Sequence, residues 1–167
     1  MKMSKNREDI IDKLVSDWKQ ERPEIDASAM QIVGRIIKLG KTLEKRAGNA
    51  LKESKIHYTD LDVLATIRRS GAPYQLTPKE LMESVLITSG AMTTLLDRLT
   101  KLELIFRAND EKDGRIKRAC LTEKGKEVID KAIKIRFNEA SESIKTLETK
   151  EQKVLASLLK KLMSSLN

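Results

Sequence analysis

Residues 109–120 read NDEKDGRIKRAC. Asn109, Glu111 and Asp113, then Gly114 and Ile116, fall where a calcium-binding loop places its first three oxygen ligands, its turn glycine and its apolar residue. The last position of such a loop needs a bidentate Glu, and Cys120 stands there instead. Arg115, Lys117 and Arg118 would also repel a cation. The basic half suits an anion. A hairpin tip bearing these three side chains could enter a groove or sit on phosphates. Asp110 and Asp113 are then expected as support, because an acid beside Arg115 holds it extended and lowers the entropy it loses on binding.

A second set of groups lies upstream. Ser89, Thr93 and Thr94 are small hydrogen-bonding residues near the start of one helical stretch, with Arg98 a turn further on. The N-terminal end of a helix favours phosphate, and a helix in a major groove reads bases from that end. Trp18 can anchor a core or wall a flat ligand. Asp62 can close a helix cap or accept from a ligand. His57 is the sole histidine and Cys120 the sole cysteine, with no HExxH or paired-cysteine pattern, so no metal site is expected. Cys120 reads as a buried structural thiol. No glycine-rich phosphate loop, no GxSxG and no nucleophile–base pair occurs, so no catalysis and no cofactor are expected.

The elements that must position these groups follow from patterning. The chain has 167 residues, enough for one domain with appended helices. Its 33 Lys plus Arg against 25 Asp plus Glu leave a net charge of +8, which favours a polyanionic partner. A single cysteine fits a reducing compartment. No apolar run is long enough to span a membrane, and the opening MKMSKNREDIIDK lacks a signal-peptide core, so a cytoplasmic location is the expectation.

Ile10, Ile11, Leu14, Val15 and Trp18 form a helical stripe that Arg22-Pro23 ends. Asp26 is expected to cap a second helix running to about residue 53. Its Gly34, Gly40 and Gly48 suggest close helix–helix approach or a bend. Thr59-Asp60-Leu61-Asp62 has the form of a capping box with Asp62 at its third position, and Thr77-Pro78-Lys79-Glu80 is a clearer one. A further helix opens at Thr88-Ser89-Gly90 and buries Met92, Leu96 and Leu99. Two short apolar runs around Asp113-Gly114 then signal a hairpin. Thr122 caps a long helix, and Thr149-x-x-Gln152 caps the last.

The expected fold is mainly α: a winged helix-turn-helix, three helices and a two-stranded wing, flanked by N- and C-terminal dimerisation helices. Residues 1–55 would supply dimerisation and a ligand-pocket wall, 56–122 the DNA-binding lobe, and 123–167 further dimerisation helices. The flanking helices carry more apolar face than a domain this small covers alone, and a two-fold dimer would bury it.

The stretch LTPKELMESVLITSGAMTTLLDRLTKLELIFRANDEKDGRIKRACLTEKG resembles the MarR family of bacterial transcription regulators. Its marks are Asp110, Asp113 and Arg115 in the wing, then Leu121-Thr122 and Gly125. DWKQERPEID and DLDVLATIRRSG look like the PecS and urate-responsive branch of that family. That branch holds an anionic purine with a Trp, an Asp and two Arg residues. The resemblance places Trp18, Asp62 and Arg107 in those roles, while Leu95 stands where the second Arg belongs.

What it implies is a homodimeric, sequence-specific DNA-binding regulator on a pseudo-palindromic duplex, a repressor released by a small aromatic or phenolic ligand. Ser89, Thr93, Thr94, Arg98, Arg115 and Lys117 would touch DNA. Two other readings remain open: a winged-helix adaptor that binds protein through the same surface, and a redox sensor built on Cys120.

Overall fold

The computed structural model describes residues 8–85, 89–110 and 113–166. Thr88 and Glu111, named above, lie outside them. The chain divides into two compact units, one up to Lys45 and one from Arg46 onward.

In the first unit, helix α1 (Ile10–Glu21) opens on a reciprocal capping box: the Asp9 carboxylate accepts from the Ile11 and Asp12 amides, and Asp12 accepts from Asp9 N–H. Arg35, on helix α2 (Met30–Ala50), pairs with Asp9 at 2.9 Å and Asp12 at 2.7 Å. Gly34 faces α1 so closely that a Cβ there would lie 3.0 Å from Ile11 Cδ1. The close-approach reading of the three glycines therefore holds at Gly34, while Gly40 and Gly48 meet nothing within 4 Å. Asp26 is not the cap of α2. Its carboxylate accepts from Ser28 N–H in the turn ahead of the helix, which starts four residues after Asp26.

The second unit runs from the end of α2 through a short 3-10 turn (Lys52–Ser54), α3 (Tyr58–Arg69), β1 (Gln75–Leu76), α4 (Pro78–Ser84), α5 (Ser89–Lys101), β2 (Ile105–Asn109), β3 (Lys117–Leu121), α6 (Glu123–Ile144) and α7 (Thr149–Leu166). Leu64 and Ile67 of α3, Leu81 of α4, Met92, Leu96 and Leu99 of α5, Ile105 of β2 and Ile129 of α6 are fully buried in one cluster. Their spacing along each helix is what keeps one face inward. The sheet has three antiparallel strands in the order β1-β3-β2, one more than the two-stranded wing expected. Gln75 and Leu76 pair with Cys120 and Ala119, a run too short to show a strand period in sequence.

Two helix caps form on the expected residues and two do not. Thr77 and Glu80 form their capping box, and Thr122 Oγ1 accepts from Gly125 N–H at 2.9 Å. α3, however, starts two residues earlier than its pattern suggests. Thr59 lies inside the helix, and Asp60, not Asp62, bonds back to the His57 amide at 2.7 Å. α7 likewise begins at Thr149 itself, and Glu151 takes the preceding Glu148 N–H.

Gly125 explains the small residue at the start of α6. A Cβ there would sit 2.0 Å from the Leu104 carbonyl oxygen. The same carbonyl accepts from Thr122 N–H at 3.1 Å, and the Thr122 hydroxyl donates to the adjoining Glu103 carbonyl at 2.7 Å, so α6 is bolted to the root of the wing. Further along, Phe137 and Ile144 of α6 and Val154, Leu158, Leu162 and Met163 of α7 are exposed apolar side chains. Among the described residues no helix is long and apolar enough to cross a membrane.

Candidate nucleic-acid interface

α5 presents two unlike faces. Met92, Leu96 and Leu99 are buried, while Thr93, Thr94 and Asp97 face outward. Thr94 Oγ1 donates to the Gly90 carbonyl at 3.2 Å. α4 and α5 pack together on α3, the arrangement of a helix-turn-helix with α5 as the second helix. Ser89 is the first residue of α5.

Arg98 is placed differently from its neighbours. Its guanidinium turns inward to Asp60 at 2.5 Å. Asp60 is fully buried, and its second oxygen, Oδ1, has no hydrogen-bond partner among the described residues. The expected capping acid Asp62 is half-buried. Burial pushes its carboxyl above the ordinary value, partly offset by the positive charges of Arg136 and Arg69. Arg107 of β2 pairs with Asp97 of α5 at 2.7 Å rather than with Asp62. Leu95 lines a depression of about 380 Å³ with Thr94, Arg98, His57 and Thr59.

The wing turn is built by its acids. Asp110 N–H donates to the Ile116 carbonyl at 2.9 Å, and Ile116 N–H to the Asp113 carbonyl at 2.9 Å. The Asp113 amide donates to Asp110 Oδ1, and Asp113 Oδ1 takes the Arg115 amide, each at 3.0 Å. The side chain of Arg115 is 95% exposed, with its Nε 3.9 Å from Asp113. Asp110 does not hold Arg115. It pairs with Arg118, whose Nη1 also comes within 3.7 Å of Glu80. The reason is the strand period: Arg118 and Asp110 share the inner face, while Arg115 sits in the turn. Lys117 is exposed and donates to Asn109 Oδ1, an oxygen that the calcium-loop pattern would have given to a cation.

Trp18 belongs to the first unit. It is exposed on α1 and, with Ile10 and Leu14, lines a shallow apolar groove of about 480 Å³. Cys120 is buried beside Gln75, to whose side-chain oxygen the thiol donates at 3.5 Å. Burial raises its pKa, which keeps the thiol protonated and a poor nucleophile. That disfavours a Cys120 redox sensor. The residue sequence reasoning missed is Asp60. Its only signal was its place three residues after His57, a weak cue because Thr59 looks the better cap.

Residues 54–116 match the MarR family. Over 149 residues the chain is 26% identical to the HTH-type transcriptional regulator PecS of Dickeya dadantii, covering 89% of this chain and 90% of that protein. It is 38% identical over 88 residues to the HTH-type transcriptional regulator SarZ of Staphylococcus aureus, covering 53% of this chain and 57% of that one. Among solved structures, a mutant MarR from E. coli complexed with operator DNA is similar, with a TM-score of 0.72 and 26% identity. The likeness covers 83% of this chain and 99% of that one.

Proposed function

The chain carries the MarR family domain of DNA-binding transcriptional regulators, and from that premise we propose that it acts as a homodimeric repressor released from its operator by a small aromatic ligand. Each copy sets α5 in a major groove, with Ser89, Thr93 and Thr94 toward bases or nearby phosphates. Two copies reach half-sites about one helical turn apart. Arg115 enters the adjacent minor groove, and Lys117 neutralises phosphate. The observation that carries the reading is the pairing of an outward Thr93–Thr94 face with an outstretched Arg115 on a braced turn. The exposed apolar faces of α6 and α7 support a second copy as partner, and the net charge of +8 supports a polyanion. The cytoplasm is where such a protein would meet DNA.

The ligand is read as held by Trp18, Asp62 and Arg107. Leu95 in place of a second arginine favours a more apolar aromatic acid over urate, because a buried anion needs paired positive charge. A gel-shift with duplex from the region upstream of its own coding sequence tests the function. A specific complex that weakens steeply with salt is expected, and a protein adaptor would give none. Thermal-shift screening with urate, xanthine and salicylate tests the ligand. A stabilising shift that Trp18→Phe abolishes supports the pocket, and a shift indifferent to that change removes Trp18 from it.

A further inference from the structure

We propose that Arg98 is a positioning residue rather than a phosphate contact, and that buried Asp60 is the anchor through which it sets the angle of the recognition helix. The inference rests on α5 being the DNA-reading helix. α5 is a 13-residue helix whose outward Thr93 and Thr94 can address bases only if its tilt against α3 is fixed. Apolar packing by Met92, Leu96 and Leu99 holds the helix down, but packing of this kind leaves a spread of about 15–20° in crossing angle. The Asp60–Arg98 pair supplies direction. Asp60 Oδ2 takes two donors, the His57 amide at 2.7 Å and Arg98 Nη1 at 2.5 Å, one from the residue that caps α3 and one from α5.

Arg98 is committed to that carboxylate. Asp60 is fully buried, and its Oδ1 already lacks a partner among the described residues. If Arg98 swung out to a phosphate, a buried acid would keep one backbone donor and no countercharge, the costly half of a broken ion pair. Arg115 and Lys117 face no such loss, since both are exposed. The division of labour is therefore sharp: wing cations meet DNA, and Arg98 aims the helix.

Anisotropy titrations test this with Arg98→Gln, Asp60→Asn and the double variant. The probes are a duplex selected by the wild-type protein from a random pool and a scrambled duplex, each over a range of potassium chloride. A positioning role lowers the specific-to-nonspecific affinity ratio at least 10-fold in both single variants. It leaves the slope of log affinity against log salt unchanged, and it makes the double variant no worse than the worse single. A phosphate contact gives the opposite pattern: Arg98→Gln reduces the slope by about 0.9, while Asp60→Asn changes nothing. That result overturns the proposal. If Arg98→Gln does not fold because Asp60 is left unpaired, the double variant, with neither charge, decides by the same ratio and slope. Failure of the wild type to select any duplex would instead refute DNA reading itself.

Discussion

Replacing Gly125 by Ala should unfold this protein more readily than any comparable change in its helices. The new Cβ would lie 2.0 Å from the Leu104 carbonyl oxygen, where ordinary contact begins at 3.4 Å. The start of α6 or the root of β2 must then move by more than an ångström. The obstacle is backbone, so no side chain can rotate away. Overpacking of this kind costs about 1–3 kcal/mol. The same movement pulls on the Thr122 N–H bond to that carbonyl, at 3.1 Å, worth about 1 kcal/mol. Alanine returns at most about 1 kcal/mol of helix propensity. The net loss is about 1–3 kcal/mol, a large share of the stability of a typical domain. Gly40→Ala is the control: it is helical too, nothing lies within 4 Å of its Cβ, and the propensity term alone should stabilise it slightly. Urea unfolding followed by circular dichroism, at one fixed protein concentration because an oligomer's stability depends on it, reads the difference. If Gly125→Ala is as stable as Gly40→Ala, the account of α6 bolted to the wing root is wrong.

Arg115→Ala should weaken operator binding by roughly 1–3 kcal/mol without changing thermal stability, since the side chain is exposed; unchanged affinity in a titration would remove the wing from recognition. Asp62→Asn should stabilise the protein at neutral pH. The folded carboxyl titrates above its ordinary 3.8 because of burial, so folding favours the protonated form, and stability is lost as pH rises from 3.8 through the folded value; melting curves in which the variant's advantage persists below pH 3.8 would refute this. Glu80 works with the opposite sign. The Thr77 amide, then its hydroxyl, hold its carboxyl below the usual 4.5, so the α4 cap is intact above that pH and weakens as pH falls through the folded value; Glu80→Gln should flatten that acid limb of the melting profile. Leu158→Lys with Leu162→Lys should split the proposed dimer in sedimentation velocity, and an unchanged sedimentation coefficient would place the interface elsewhere.

Much of the fold was legible because each element announces itself locally. Proline after Arg22, the Thr77–Glu80 box, the Thr122 cap and the Asp113-Gly114 turn all act through bonds within a few residues, and α1, α4 and the wing turn lie where those signals put them. Where two local signals competed, reading failed. Thr59 and Asp62 matched a capping box better than His57 and Asp60 did, yet it is Asp60, buried and bonded to the His57 amide, that closes the earlier start. β1 failed for another reason: two residues carry no period, and Gln75–Leu76 is a strand only because β3 offers it an edge.

The candidate interface divides in the same way. Sequence by itself determined the basic balance, the amphipathic α5 with its small polar residues, and a turn that presents Arg115, because charge, helical period and turn chemistry are properties of neighbours in the chain. Tertiary structure decided which arginines are available. Arg98, Arg107, Arg115 and Arg118 are alike as letters, yet Asp60, Asp97 and the Asp110–Glu80 pair engage three of them and leave Arg115 outstretched. A charge is worth what its surroundings make it, and the partners of these arginines lie as far as 38 residues away along the chain, beyond the reach of any local pattern.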